Sequence, residues 1–245
     1  IVMPTAQAFF DTRLLRMADE RDFVHLEEVG EAAWAKHDKP DAGLWEFRTR
    51  QEVHTYSVLM SWAACGRIAT VAERLGKTDK AQFWRGRAAA IRSKIEDEAW
   101  HEEGQHYASA LGGTHLDASL LQMIDLGFLR PEDERFQQTF AAIEKGLRRG
   151  EHMLRYDAED DFGLPETAFN ICTFWLMEAL HLAGREDEAR ALFETMLSHR
   201  TKSGLLSEDL DFNNGELWGN FPQTYSLVGI INCATLLSNP WSVIR

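Results

Sequence analysis

Apolar residues recur at intervals of three and four through nearly every segment of the chain, and strict alternation of apolar and polar positions is almost absent. Ala and Leu together outnumber Val and Ile by roughly three to one, a bias toward helix over strand. The spacing predicts helices over about residues 5–20, 22–37, 50–75, 79–99, 115–126, 131–149, 166–183, 186–200 and 221–238. The expected class is all-α.

Two kinds of joint alternate between these helices. Leu75-Gly76-Lys77-Thr78-Asp79, Leu126-Gly127 through Pro131-Glu132-Asp133, and Ala183-Gly184-Arg185-Glu186-Asp187 each place a helix-ending Gly before an acid or Pro that starts the next helix. These read as tight αα-hairpins. The longer loops 38–49, 100–114, 150–165 and 201–220 hold much of the remaining Gly, Trp and acid. In an up-down array, joints of one parity lie at one end, so all four long loops are expected on one face. Helices 50–75, 166–183 and 221–238 are apolar nearly all round, as an inner ring would be, whereas Arg185–Arg200 has one charged face. Hairpin spacing is irregular, which disfavours an open solenoid. The expectation is an α/α toroid within a single domain spanning 1–245.

Composition narrows the partners. With 245 residues, 44% hydrophobic and 27% charged, the chain can bury a large core without staples, and disorder is excluded. Against 26 basic residues stand 39 acidic ones, a net charge of −13, which argues against nucleic acid and anionic membrane as partners. No apolar run approaches a membrane span and no secretory leader opens the chain, so a cytoplasmic location is expected. The chain begins at Ile1, directly ahead of a helix-like stretch, which suggests a piece of something longer. Cys65, Cys172 and Cys233 sit among apolar residues and read as core thiols. His101 and His106 are five apart with Gly104 between them, a poor match to a helical zinc motif, so neither a metal nor a cofactor is expected.

The chemistry gathers in the loops. In Asp41-Ala42-Gly43-Leu44-Trp45-Glu46-Phe47-Arg48 a carboxylate stands between two large rings, where poor solvation of its charge would suit a proton donor; a helix cap or a pair with Arg48 is the ordinary alternative. Gly204 through Asp211 and Gly215 through Gln223 pack several carboxylates among small and polar residues, which suits a general base, although loop acids are usually just solvated. Leu154 through Glu166 interleaves cations, acids and aromatics, as a hydroxyl-rich ring would require.

Gly43-Leu44-Trp45-Glu46-x-Arg48, Leu154-Arg155-Tyr156, Glu166-x-Ala168-Phe169, Cys172-x-Phe174-Trp175-Leu176, Leu205-Leu206-Ser207-Glu208-Asp209 and Gly219-Asn220-Phe221-Pro222-Gln223 together resemble the bacterial branch of glycoside hydrolase family 15, the glucoamylase family. The resemblance runs in order from about Asp41 to the C-terminus. It implies an (α/α)6 toroid and inverting, exo-acting hydrolysis of terminal α-linked glucose, whether in maltooligosaccharides, α-1,6 links or trehalose. Glu46 matches the family's general acid and Glu208 its general base; Arg155 matches a substrate-binding arginine. Trp45, Tyr156, Glu166 and Gln223 match pocket-lining positions. For inversion the two carboxyls are expected roughly 6.5 to 9.5 Å apart. About nine of the family's twelve helices are counted, so the toroid is expected to be incomplete. A missing N-terminal part of the same protein is then an expected partner, and the isolated segment is expected to be weakly active or inactive. The competing reading is a non-catalytic helical repeat scaffold that binds a protein partner.

Overall fold

The computed structural model describes residues 1–160 and 163–238; Asp161 and Phe162 of the third loop lie outside the described residues. The chain packs as two compact units: residues 1–100 with 109–113, and residues 101–108 with 114 onward. The nine α-helices among the described residues are α1 (Val2–Gln7), α2 (Glu20–Lys36), α3 (Thr55–Arg74), α4 (Thr78–Glu98), α5 (Gln122–Asp125), α6 (Glu134–Leu147), α7 (Asn170–Leu182), α8 (Glu186–Ser198) and α9 (Thr224–Leu237). Seven two-residue strands accompany them: β1 (Trp100–His101), β2 (His106–Tyr107), β3 (Arg148–Arg149), β4 (His152–Met153), β5 (Ala168–Phe169), β6 (Asp209–Leu210) and β7 (Leu217–Trp218). No helix among the described residues is long and apolar enough to cross a membrane.

In the first unit α2 starts on a reciprocal cap. The Asp19 carboxylate accepts from the Arg21 N–H at 2.8 Å and the Asp22 carboxylate accepts from the Asp19 N–H at 2.8 Å. Phe23, Leu26 and Gly30 form its buried face. A Cβ on Gly30 would lie 2.3 Å from Ile68 Cδ1 and 2.8 Å from Trp84 Cη2, so only glycine lets α2 close on α3 and α4. Trp84 is fully buried, and its indole N–H donates to Glu27 at 2.8 Å. The hairpin between α3 and α4 turns at Gly76 in the left-handed region, with the Lys77 N–H reaching back to the Ala72 carbonyl.

The second unit is built around α7, whose buried residues run almost without break from Asn170 to Leu180. Its turn into α8 repeats the device: Gly184 is left-handed and the Arg185 N–H bonds to the Leu180 carbonyl at 2.8 Å. Here α9 lies so close to α7 that a Cβ on Gly229 would sit 2.4 Å from the Phe174 ring. Cys65, Cys172 and Cys233 are buried free thiols, as expected.

Three expected helices differ in extent. The stretch 5–20 is helical only over Val2–Gln7, because the Asp11 carboxylate binds the Arg13 N–H and guanidinium and the Ala18 N–H folds back onto the Ala8 carbonyl. The stretch 115–126 becomes a 3₁₀ turn at Ala118–Leu121 and one α-turn, started by the Asp117 carboxylate on the Ser119 N–H. Residues 166–169 enter a strand instead of α7, since Ala168 and Phe169 pair with Leu210 and Asp209. Finally α9, expected to be apolar and enclosed, leaves Tyr225, Val228 and Ile231 exposed.

Candidate active site

In the first unit, Asp41 and Glu52 exchange main-chain hydrogen bonds of 2.9 and 3.1 Å and close the loop between α2 and α3. The Asp41 carboxylate accepts from the Gly43 N–H at 2.7 Å. Gly43, at φ +69°, presses on His54 so closely that a Cβ would meet the imidazole at 2.8 Å. His54 is buried at the N-cap of α3 and stacks on Phe47 with ring centres 5.7 Å apart, while the Arg50 guanidinium lies 3.8 Å from the Phe47 centroid. Between these anchors Glu46 adopts φ +56°, rare for a residue with a side chain. The reversal buries Phe47, half-buries Trp45 and leaves Glu46 exposed. The expected shielding of this carboxylate between two rings is therefore not seen within this unit, where Glu46 is exposed. The Thr55 N–H donates to the Ser109 carbonyl, the Leu111 N–H to Val53, and the Gly112 N–H to Glu98. Two long loops thus share one end of the α3–α4 hairpin, as parity requires.

The second unit assembles its loops on a three-stranded sheet in the order β5-β6-β7. Glu208 sits at the head of β6, with its N–H on the Asn220 carbonyl and its carbonyl accepting from Asn170 at the start of α7. Its carboxylate is held on both oxygens. Oε2 accepts from the Asn220 N–H and Nδ2 at 3.2 and 3.0 Å, and Oε1 accepts from Gln223 Nε2 at 3.1 Å. Gly219, at φ +78°, makes room, since a Cβ there would come within 2.9 Å of Oε2. Ser226 and the Asn170 carboxamide both donate to the Ser207 carbonyl, tying the strand to α9 and α7.

Arg155 extends over the rings of Tyr156 and Phe169, each 5.4 Å from its guanidinium carbon. It acts on Asp209, the residue after Glu208. Burial pushes the Asp209 carboxyl up to about 6, the positive charge of Arg155 opposes that rise and the charge of Glu208 adds to it. Asp209 Oδ1 and Arg155 Nε are both buried without a hydrogen-bond partner. Tyr156 is only 3% exposed and its hydroxyl donates to Asp160, so it supports Arg155 from below. Glu166 is exposed at the lead-in to β5. Of the residues singled out in the sequence, Glu208 and Gln223 touch, Arg155 stacks on Tyr156, and Trp45 and Glu46 adjoin in the other unit.

Two residues escaped the sequence reading. Asp209 stood in the acidic run and in the Leu205–Asp209 motif, but with no role of its own. Glu178, a carboxylate on the apolar α7, is pushed up to about 7, first by burial and then by Asp125, with side-chain hydrogen bonds to Gln122 and Asn232 opposing. An acid inside an otherwise apolar helix was its signal. Among the described residues no group of three or more His, Cys, Asp or Glu is placed to hold a metal ion, and His101 and His106 pack edge to face around Gly104.

The profile of the glycosyl hydrolases family 15 matches residues 22–235, and the chain belongs to that family. A trehalase from Thermoplasma acidophilum is 38% identical over 200 residues, covering 81% of this chain and 34% of that protein. The chain thus spans about a third of that relative's length. A solved wild-type glycosidase overlays with a TM-score of 0.77 at 21% identity, over 89% of this chain and 60% of that one. A bacterial glucoamylase solved with acarbose gives a TM-score of 0.71 at 14% identity, over 88% and 38%. Those likenesses show the fold: the helical hairpins are part of an (α/α)6 toroid of the glucoamylase type.

Proposed function

We propose that the protein hydrolyses terminal α-linked glucose with inversion, and that its substrate is trehalose. Glu208 is the general base and Glu46 the general acid. The observation that carries this reading is the setting of Glu208: three N–H donors fix both oxygens, so the carboxylate is presented as an acceptor for the proton of an attacking water. Glu46, on a loop anchored by His54 and exposed at its tip, is free to protonate a glycosidic oxygen. Arg155, Gln223, Tyr156, Glu166 and Trp45 orient the sugar, directly or through their neighbours. Trehalose is preferred over longer glucans because a relative 38% identical is named trehalase. The test is glucose release by the full-length protein and its Glu46→Gln and Glu208→Gln variants. Each substitution should lower kcat by about 10²- to 10⁴-fold with unchanged circular dichroism. Undiminished turnover in either variant removes that residue from its role.

A further inference from the structure

His101 and His106 are five apart and would point to different faces of a helix, but the chain places them at the two ends of a hairpin loop. His101 closes β1, His106 opens β2, and residues 102–105 turn between them. The loop is held from inside. Gln105, left-handed at φ +51°, donates from Nε2 to the Glu102 carbonyl at 2.6 Å and to its carboxylate at 3.1 Å. β2 is anchored in turn: Tyr107 is fully buried, and its N–H donates to Thr139 Oγ1 of α6 at 3.0 Å.

The two imidazoles meet edge to face across Gly104, with ring centres 5.2 Å apart. A Cβ on Gly104 would stand 2.5 Å from His101 Nδ1 and 2.6 Å from His106 Nε2, so two ring nitrogens converge on one point. Those separations are too short for a carbon atom, yet only about 0.5 Å longer than a zinc–imidazole bond. The protonation of His106 favours the same use. Its Nδ1 lies 2.9 Å from the Tyr107 carbonyl, which can only accept, so Nδ1 carries the hydrogen and Nε2 keeps its lone pair. One ring nitrogen donating to a carbonyl while the other is left to bind is the arrangement that orients metal-bound histidines. His101 Nδ1 is buried with no hydrogen-bond partner among the described residues, so nothing in the fold competes for it.

We infer that His101 and His106 bind a divalent transition ion of the zinc class. Paired imidazoles suit zinc, nickel and copper, whereas calcium and magnesium take oxygen ligands. Two nitrogens are fewer than the four ligands of a closed structural site, so water completes the shell, and the exposed Glu103 adds negative charge at the loop. The ion fastens β1 to β2, and Gly104 is the residue that leaves room for it. The site takes no part in the proposed hydrolysis and is tested apart from it.

The test is a calorimetric titration of Zn²⁺ into the untagged full-length protein after dialysis against a chelator, alongside His101→Gln and Gly104→Ala. Gly104 is outside the left-handed region, so alanine there adds bulk alone and keeps both imidazoles. The wild type should take up one Zn²⁺ more than either variant. X-ray absorption at the zinc edge of the one-to-one wild-type complex should show two imidazole nitrogens at about 2.0–2.1 Å. If circular dichroism shows that the methyl group of Gly104→Ala disturbs the fold, His101→Gln, at a half-buried position, decides by itself. Equal uptake by the wild type and a folded variant, or a zinc shell with fewer than two imidazoles, overturns the inference.

Discussion

Two carboxylates sit where burial opposes their charge, and each has a measurable consequence. Glu178 is raised from 4.5 to about 7 and Asp209 from 3.8 to about 6. A raised folded-state value means that the native protein keeps a proton the unfolded chain has already released. The stability due to Glu178 is therefore fully present below about 4.5 and is lost as pH rises through about 7. Urea midpoints for the wild type should fall between pH 5 and 8, and Glu178→Gln should flatten that slope; an unchanged slope would remove Glu178 as its cause. At Gly219 the constraint is steric. A methyl group there meets a left-handed backbone and a Glu208 oxygen at 2.9 Å together. Gly219→Ala is expected to displace the base and cost about 10²-fold in kcat. Activity within twofold of wild type would show that Glu208 tolerates the shift.

At the scale of elements, close packing decides which glycines matter. Gly30→Ala drives a methyl into Ile68 and Trp84 and should destabilise the protein by about 1–3 kcal/mol. Gly86, inside α4 with nothing within 4 Å of its Cβ position, should behave oppositely: Gly86→Ala is expected to stabilise by roughly 0.5–1 kcal/mol. Thermal unfolding of both variants checks the pair, and similar shifts in one direction would contradict the packing described for α2. The hairpins were legible beforehand because Gly76 and Gly184 end their helices by a purely local rule. The failures are non-local. Nothing near Ala168 announces that Leu210, forty residues on, will draw it into a strand, and the local ties of Asp11 to Arg13 outweigh the helical spacing around them. The motifs that singled out Glu208 and Gln223 did mark two side chains that hydrogen-bond to each other, but the turn at Glu46 that exposes its carboxylate was not legible, because a left-handed Glu has no sequence signature.

For the whole molecule, the exposed Tyr225, Val228 and Ile231 of α9 matter most, at 57, 42 and 63%. Spaced by three, they form an apolar stripe along one helix face, and such stripes associate or aggregate when uncovered. The 245-residue chain by itself is expected to self-associate in light scattering, and Ile231→Lys with Val228→Ser should reduce that; a monodisperse wild type would contradict it. Whether Glu46 and Glu208 work as an acid and base pair is most directly tested by ¹H NMR of the first products from trehalose with the full-length protein. Inversion places β-glucose from the glycone beside α-glucose from the leaving ring, so the two anomers should appear in equal amounts before mutarotation. Release of α-glucose alone would mean retention, and the assignment of Glu208 to an attacking water would be wrong.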